Sequence, residues 1–214
     1  MEEPPLFNFL KGEKLEKAKL QDMIIEIIYN YIQPDAVLYG GTAIWRCFGS
    51  NRFSEDIDIY VNSNFSKNLK KELERNQLKI VWKNPKIKSW KISNGITEVL
   101  LETKIGEPEK IPIQYKKVDG SSITVFSLPP LDLAIRKMEA YSQRLFIRDL
   151  YDIMFLTNFL NKNDYYTKTK FKEFLSNIKK PIDEKILSSL ILKGYSKFTF
   201  RMIVDYLRRW VGEV

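Results

Sequence analysis

The 214-residue chain has no histidine and a single cysteine, Cys47. Without imidazole, Ser-His-Asp and Cys-His nucleophilic catalysis and HExxH metallopeptidase chemistry are excluded, and acid–base work falls to carboxylates and a metal ion. One thiol cannot close an intramolecular disulfide, and no CxxC or Cys/His cluster suggests zinc, which fits a reducing cytosol. No run approaches the roughly 18 uncharged residues of a membrane span, and the opening MEEPPLFNFLKGEK lacks the basic start and apolar stretch of a signal peptide. The expectation is a soluble, cytoplasmic protein with no membrane partner. Low-complexity linkers and repeats of 20–50 residues are also missing, which excludes a solenoid.

What is present suits a packed globular chain: 44% hydrophobic and 29% charged residues bury a core without staples. Lys and Arg number 35 against 27 Asp and Glu, a formal charge of +8. A basic surface concentrates polyanions such as nucleotides and nucleic acids around it, though it also serves solubility.

Residues 13–32 set Leu15, Ala18, Leu20, Met23, Ile24, Ile27, Ile28 and Tyr31 close to helical spacing, and Pro34 stops that helix. AVLY at 36–39 reads as a short strand ending in Gly40-Gly41, and TAIWRCF as a helix that starts after the glycines. DIDIYV at 56–61 alternates charged and apolar residues, the period of a strand with one polar face. A lysine-rich helix is predicted at 65–76, followed by strands in LKIVW, SWKI, TEVLLETKI, KIPIQYKKV and SITVF. After Pro129-Pro130 the pattern turns helical to the end. The expected fold is α+β, with a mixed-sheet lobe over 1–128 and a helical lobe over 129–214.

Chemistry concentrates in GGTAIWRCFGSNRFSEDIDIYV, residues 40–61. Asp56 and Asp58, two apart on a strand, project from one side with Cα atoms roughly 6.5–7 Å apart, so both carboxylates converge on hard cations such as Mg²⁺ or Mn²⁺. Such a pair repels itself until divalent charge offsets it. Gly40 and Gly41 lie between a strand and a helix N-terminus, where backbone N–H groups approach phosphate closely, and Thr42 adds a hydroxyl. Arg52 and Ser54 are candidates for the β- and γ-phosphates of a nucleoside triphosphate, Arg52 through a charge-assisted fork and Ser54 through one hydrogen bond. A GG pair is ordinarily a turn and DxD ordinarily a solvated face; their succession in this order is far less common.

This succession closely resembles the polymerase-beta-type nucleotidyltransferase superfamily, in which a GG/GS motif precedes hD[DE]h. With the later K-x-x-A at Lys137, Arg144, and R-D-L-Y-D at 148–152, the chain is similar to the AbiEii/AbiGii, or MenT-like, toxin family, from about Tyr39 to Leu156 with a weak middle between 62 and 128. The resemblance implies a third carboxylate from a neighbouring strand, for metal and for the proton of the attacking hydroxyl. Glu98 and Glu102 share a strand face, and periodicity cannot choose between them; Glu102 follows the apolar VLL run as the family's third acid usually does. Lys137 would contact the triphosphate, and Arg148, Asp149 and Asp152 would form the family's fourth motif near the nucleotide. On a helix Arg148 and Asp152 stand i,i+4 and Asp149 and Asp152 i,i+3, so the trio fastens one face and supports Lys137; the plainer reading is a structural ion-pair network.

The implied activity is Mg²⁺-dependent transfer of NMP from an NTP to an RNA 3′ end, with tRNA the leading acceptor. Asp56, Asp58, Glu102 and Asp149 would be catalytic, and a cognate antitoxin a possible partner. The alternatives are transfer to a protein or small-molecule hydroxyl, or a non-catalytic NTP- or RNA-binding module. Tyr39, Trp45 and Phe53 beside the motif read as base-stacking or core residues, and the lysine-rich stretches at 67–91 and 168–180 as RNA guides or solvated faces.

Overall fold

The computed structural model describes residues 6–63, 65–86, 88–195 and 197–213. Two compact units emerge: Met1–Gly49 with Phe53–Leu128, and Ser50–Arg52 with Pro129–Val214.

In the first unit, α1 (Gly12–Ile27) continues as a π-helical turn over Ile28–Ile32, where Gln33 N–H donates to the Ile28 carbonyl ahead of Pro34. Then come β1 (Val37–Tyr39), α2 (Gly40–Arg46), β2 (Ile57–Val61), α3 (Phe65–Arg75), β3 (Lys79–Asn84), β4 (Ser89–Ser93), β5 (Glu98–Ile105), β6 (Ile111–Lys116) and β7 (Ser122–Ser127). They build one mixed sheet in the order β3-β4-β5-β2-β1-β7-β6. The β2–β5 and β1–β7 pairs are parallel and the rest antiparallel. Alternation decides the faces: Ile57, Ile59, Val99 and Leu101 are buried on one side; α1, with Ala18, Ile24 and Ile25 buried, packs on β5. The glycine pair sits inside the first turn of α2, which begins two residues earlier than TAIWRCF suggests.

A buried charge knits this unit. Arg46, at the end of α2, is fully buried and ion-paired with Asp22 of α1, its guanidinium lying 4.6 Å from the Trp45 ring centroid and 4.8 Å from that of Tyr115. Asp22 also accepts from the Tyr115 hydroxyl (3.0 Å) and the Val118 amide (2.8 Å), and burial raises the Tyr115 phenol above its usual range. One carboxylate thereby ties α1, α2, β6 and the turn after β6.

The second unit is helical: α4 (Pro130–Arg144), α5 (Ile147–Leu156), α6 (Tyr165–Ser176), α7 (Leu187–Leu190) and α8 (Phe200–Val211). Pro130 starts α4 at the first helical position, and Asp164 caps α6 by accepting from the Thr167 amide at 2.8 Å. Ile203, Val204, Leu207 and Val211 form the buried stripe of α8, which packs on α5 and α6. Among the described residues no helix is long and apolar enough to cross a membrane.

Removing one member of a buried ion pair strands the other. Arg46→Ala is expected to destabilise the protein by about 3–5 kcal/mol, read from urea denaturation; a loss under about 1 kcal/mol would mean that Asp22 is satisfied by Tyr115 and Val118 alone.

Candidate active site

The acidic strand is held from three sides before it begins. Gln21, fully buried on α1, donates through Nε2 to the carbonyls of Ser54 (3.0 Å) and Glu55 (2.9 Å), and the Thr42 hydroxyl donates to the carbonyl of Asp56. Lys17 adds an ion pair to Glu55 at 2.6 Å. Three successive carbonyls are thus satisfied by side chains, which leaves the chain little freedom as it enters β2.

Asp56 is exposed and Asp58 half-buried, on the sheet face opposite Ile57 and Ile59. The register brings a row of side chains together across four strands: Tyr39 of β1, Asp58 of β2, Glu102 of β5 and Ser89 of β4. Adjacent strands lie about 4.8 Å apart, so Glu102 is the neighbour of Asp58. Glu98 falls four residues down β5, opposite Ser93, and pairs with Lys91 at 3.4 Å. Ser89 is 1% exposed, and its hydroxyl has no hydrogen-bond partner among the described residues.

The glycine turn and the acidic strand meet in one contact. Gly40 has φ +74°, and a Cβ built on it would stand 2.0 Å from Asp58 Oδ2 and 2.8 Å from its Cγ. Both the left-handed backbone and the carboxylate against its Cα demand glycine at this position. Gly41 is buried in the next position of α2.

In the second unit five charged side chains form a continuous chain. Arg52 makes a two-pronged bond to Asp152, Nε to Oδ1 and the second prong to Oδ2, both at 2.7 Å. Lys137 Nζ lies 2.7 Å from Asp152 Oδ2 and 3.1 Å from Asp149 Oδ1. Arg144 closes the far end on Asp149, Nε to Oδ2 at 2.7 Å and the other prong to Oδ1 at 2.8 Å. Both aspartates are fully inaccessible, while Arg144 is partly exposed. Burial alone would raise the Asp149 carboxyl, but the hydrogen bonds of Arg144 and the charge of Lys137 outweigh it and hold the group below the usual range. For Arg52, burial opposes the charge and Asp152 more than restores it, raising its value.

Several sequence expectations change in detail. The Thr42 hydroxyl, expected to meet phosphate, is buried and used on the Asp56 carbonyl, because its position in the first turn of α2 faces the strand entrance. The Arg52 fork, expected on the β- and γ-phosphates, is taken by Asp152. Arg148 is not the partner of Asp152; it stands 5.2 Å over the Phe146 ring, and the long-range Arg52 takes the i,i+4 place. Ser54 is half-buried, with its carbonyl engaged by Gln21. Of the neighbouring aromatics, Trp45 and Phe53 are core, edge-to-face at 4.9 Å, and Tyr39 packs on Tyr60 at 4.8 Å. Gln21 and Ser89 were not singled out from sequence. Gln21 left one signal, a polar residue on the apolar stripe of α1; Ser89 left none.

The donor set fits a hard divalent cation in chemistry, since Asp58 and Glu102 offer carboxylate oxygens from paired positions of β2 and β5, and Asp56 offers its own from just before β2. Among the described residues no three His, Cys, Asp or Glu side chains are drawn together tightly enough to form an ion cage.

A family model described as nucleotidyl transferase AbiEii toxin, type IV TA system, matches residues 32–202. No curated protein matches the chain. Among solved structures, JHP933 from Helicobacter pylori is similar at TM-score 0.65 and 18% identity, covering 95% of this chain and 94% of that one. MenT4, a nucleotidyltransferase toxin from Mycobacterium tuberculosis H37Rv, is similar at TM-score 0.66 and 13% identity, covering 94% and 83%. The antibiotic-resistance factor ANT(2″)-Ia is similar at TM-score 0.52 and 12% identity, covering 76% and 93%. These likenesses place the chain in the nucleotidyltransferase fold.

Gly40→Ala is expected to cost about 1–2 kcal/mol from its left-handed backbone alone, with a further loss from displacing Asp58; a melting temperature equal to wild type would contradict the contact. The depressed folded pKa of Asp149 gives a stabilisation present above the unfolded value of about 4 and lost as pH falls through the folded one. Asp149→Asn is therefore expected to lower stability at neutral pH and to flatten the acid limb of a stability-versus-pH curve below about pH 4; an unchanged acid limb would count against the network.

Proposed function

We propose, on the premise that this chain belongs to the AbiEii family of nucleotidyltransferase toxins, that it transfers a nucleoside monophosphate from an NTP to the 3′ end of an RNA, with tRNA the leading acceptor. The observation that carries the reading is the close approach of Asp58 to Gly40 with Glu102 beside it in register, which unites the glycine turn and the carboxylates in one place. Asp56, Asp58 and Glu102 would hold Mg²⁺ or Mn²⁺. Such an ion, when bound, neutralises triphosphate charge and polarises the reacting phosphoryl group.

The work of the chain's own groups follows from their places. The backbone at Gly40 and Gly41, without Cβ atoms, lets the triphosphate approach. Glu102 accepts the proton of the attacking 3′-hydroxyl; that oxygen bonds to the α-phosphorus while the bond to the β-phosphate oxygen breaks and pyrophosphate leaves. Gln21 and Thr42 are positioning residues that fix where Asp56 stands. Ser54 keeps its hydroxyl for a phosphate oxygen.

Lys137 has three N–H donors, and its ion pairs with Asp149 and Asp152 use two of them; the third is assigned to the triphosphate. Asp149, Asp152 and Arg52 then orient Lys137 and do not themselves touch the reacting atoms, and Arg148 stays a candidate anion contact. The family's type IV toxin–antitoxin setting adds a cognate antitoxin as the protein partner.

The test is incubation of purified protein with a divalent cation, each labelled NTP and total tRNA. Wild type is expected to label RNA, and Asp58→Ala to lose at least about a thousandfold in rate, the several kcal/mol that the carboxylates and cation supply. Label in protein or a small molecule moves the acceptor; tight NTP binding without pyrophosphate release overturns transfer altogether.

A further inference from the structure

A cavity of about 350 Å³ opens in the first unit between α3 and the β3–β4–β5 end of the sheet. That volume lies within the range of small-ligand pockets, roughly 300–1,000 Å³. Its apolar surfaces are Phe65, Ile80, Ile105 and Trp90, the rings of Phe65 and Trp90 lying 6.1 Å apart. Among the described residues its charged lining is Lys70 on α3, Lys83 on β3 and Lys88 before β4, with no carboxylate.

The register separates this cavity from the carboxylates. Trp90 stands opposite Leu101 and Lys83, while its neighbour Ser89 stands opposite Glu102, so Trp90 emerges on the sheet face away from Asp58 and Glu102. With no acid among the described lining residues, the cavity does not suit a metal-bound triphosphate. It joins an aromatic platform to lysines on three separate elements, each a point charge on a flexible stem. That combination suits a base stacked on a ring with phosphates on either side of it. Lys70 shares its charge with Glu74 at 3.7 Å, but both are exposed and the pairing is weak.

We propose that this cavity is an exosite for one unpaired nucleotide of the RNA acceptor, its base stacked on Trp90 and its flanking phosphates on Lys83, Lys88 and Lys70. The inference rests on the RNA-acceptor reading and adds to it a contact remote from the reacting end. A strand anchored here presents its terminus elsewhere, so the exosite selects the acceptor without entering the chemistry. Three lysines facing phosphate also make binding strongly salt-dependent.

The test measures binding of fluorescently labelled single-stranded RNA to the full chain by anisotropy, across a salt series, beside calorimetric NTP binding. Trp90→Leu keeps apolar bulk and removes the stacking ring; it is expected to weaken RNA about tenfold. Because Trp90 contributes to packing, the surface variant Lys83→Glu/Lys88→Glu is the parallel arm. It is expected to weaken RNA at least about tenfold and to reduce the salt slope by about 1 to 2. NTP affinity should stay at the wild-type value in both. Lys79→Glu, an exposed lysine on the same strand outside the cavity, should weaken RNA far less. Equal losses from Lys79→Glu and the double variant would overturn the exosite in favour of a diffuse basic face. Wild-type RNA affinity in the double variant overturns it too, even where labelled RNA is still produced. RNA binding that depends on Trp90 and the lysines with no label transfer supports the exosite and removes the transfer reading instead.

Discussion

Everything at the candidate site depends on one tight contact, the Asp58 carboxylate lying against the Cα of Gly40. The β1–β2 register explains why it exists: Tyr39 is directly across from Asp58, so residue 40 is the first to leave the strand beside that carboxylate. A side chain there would occupy the same space, and the positive φ that turns the chain into α2 is costly for any residue with a Cβ. The order of strand, glycine, helix, then acidic strand is therefore a packing requirement as much as a chemical one. A carboxylate set against the start of a helix also gains modestly from the helix dipole, which eases bringing like charges together.

Much of this was legible in the sequence because it is local. Period-2 alternation located β2 and the faces of Asp56 and Asp58, and helical spacing located α1, α3 and the helices after Pro130. Strand pairing is not local, and it alone separates Glu98 from Glu102: spacing puts both on one face, whereas the parallel β2–β5 register sets Glu102 beside Asp58 and leaves Glu98 to Lys91. The Arg52–Asp152 bond joins residues a hundred apart, and nothing in the spacing of R-D-L-Y-D points to it. Arg148, the obvious i,i+4 partner on paper, lost that place to a guanidinium whose planar fork arrives from elsewhere in the chain.

Polar residues within apolar stripes do distinct physical work here. On α1, Gln21 and Asp22 interrupt the pattern of Ala18, Ile24 and Ile25, and each answers a demand for hydrogen bonds that an aliphatic side chain cannot meet. Gln21 satisfies the carbonyls of Ser54 and Glu55; Asp22 satisfies Tyr115 and the Val118 amide and ion-pairs with Arg46. A buried ion pair is a weak source of net stability, and a well-packed apolar pair of the same volume would often serve as well. What Arg46 and Asp22 add is a directional link among α1, α2 and β6, and α2 is the helix that carries the glycines.

The same logic extends to the segment before the acidic strand. Ser50–Arg52 belongs with the second unit although the chain on both sides belongs to the first. Its attachments are specific: the Arg52 fork on Asp152, the bridge between Arg52 and Ile191, and the Leu192 amide on the Asn51 carbonyl at 2.8 Å. Arg52 precedes Asp56 by four residues, a span of roughly 14 Å at full extension, and Gln21 and Thr42 hold the end of that span. The entrance of the strand carrying the carboxylates is held by hydrogen bonds within the first unit, and Arg52 is held by a buried ion pair within the second. Lys137 shares Asp152 with Arg52, so a change in the Lys137 ammonium is felt at Arg52 through one carboxylate. Charge and connectivity together make Asp152 the residue on which Arg52 and Lys137 of the helical unit converge.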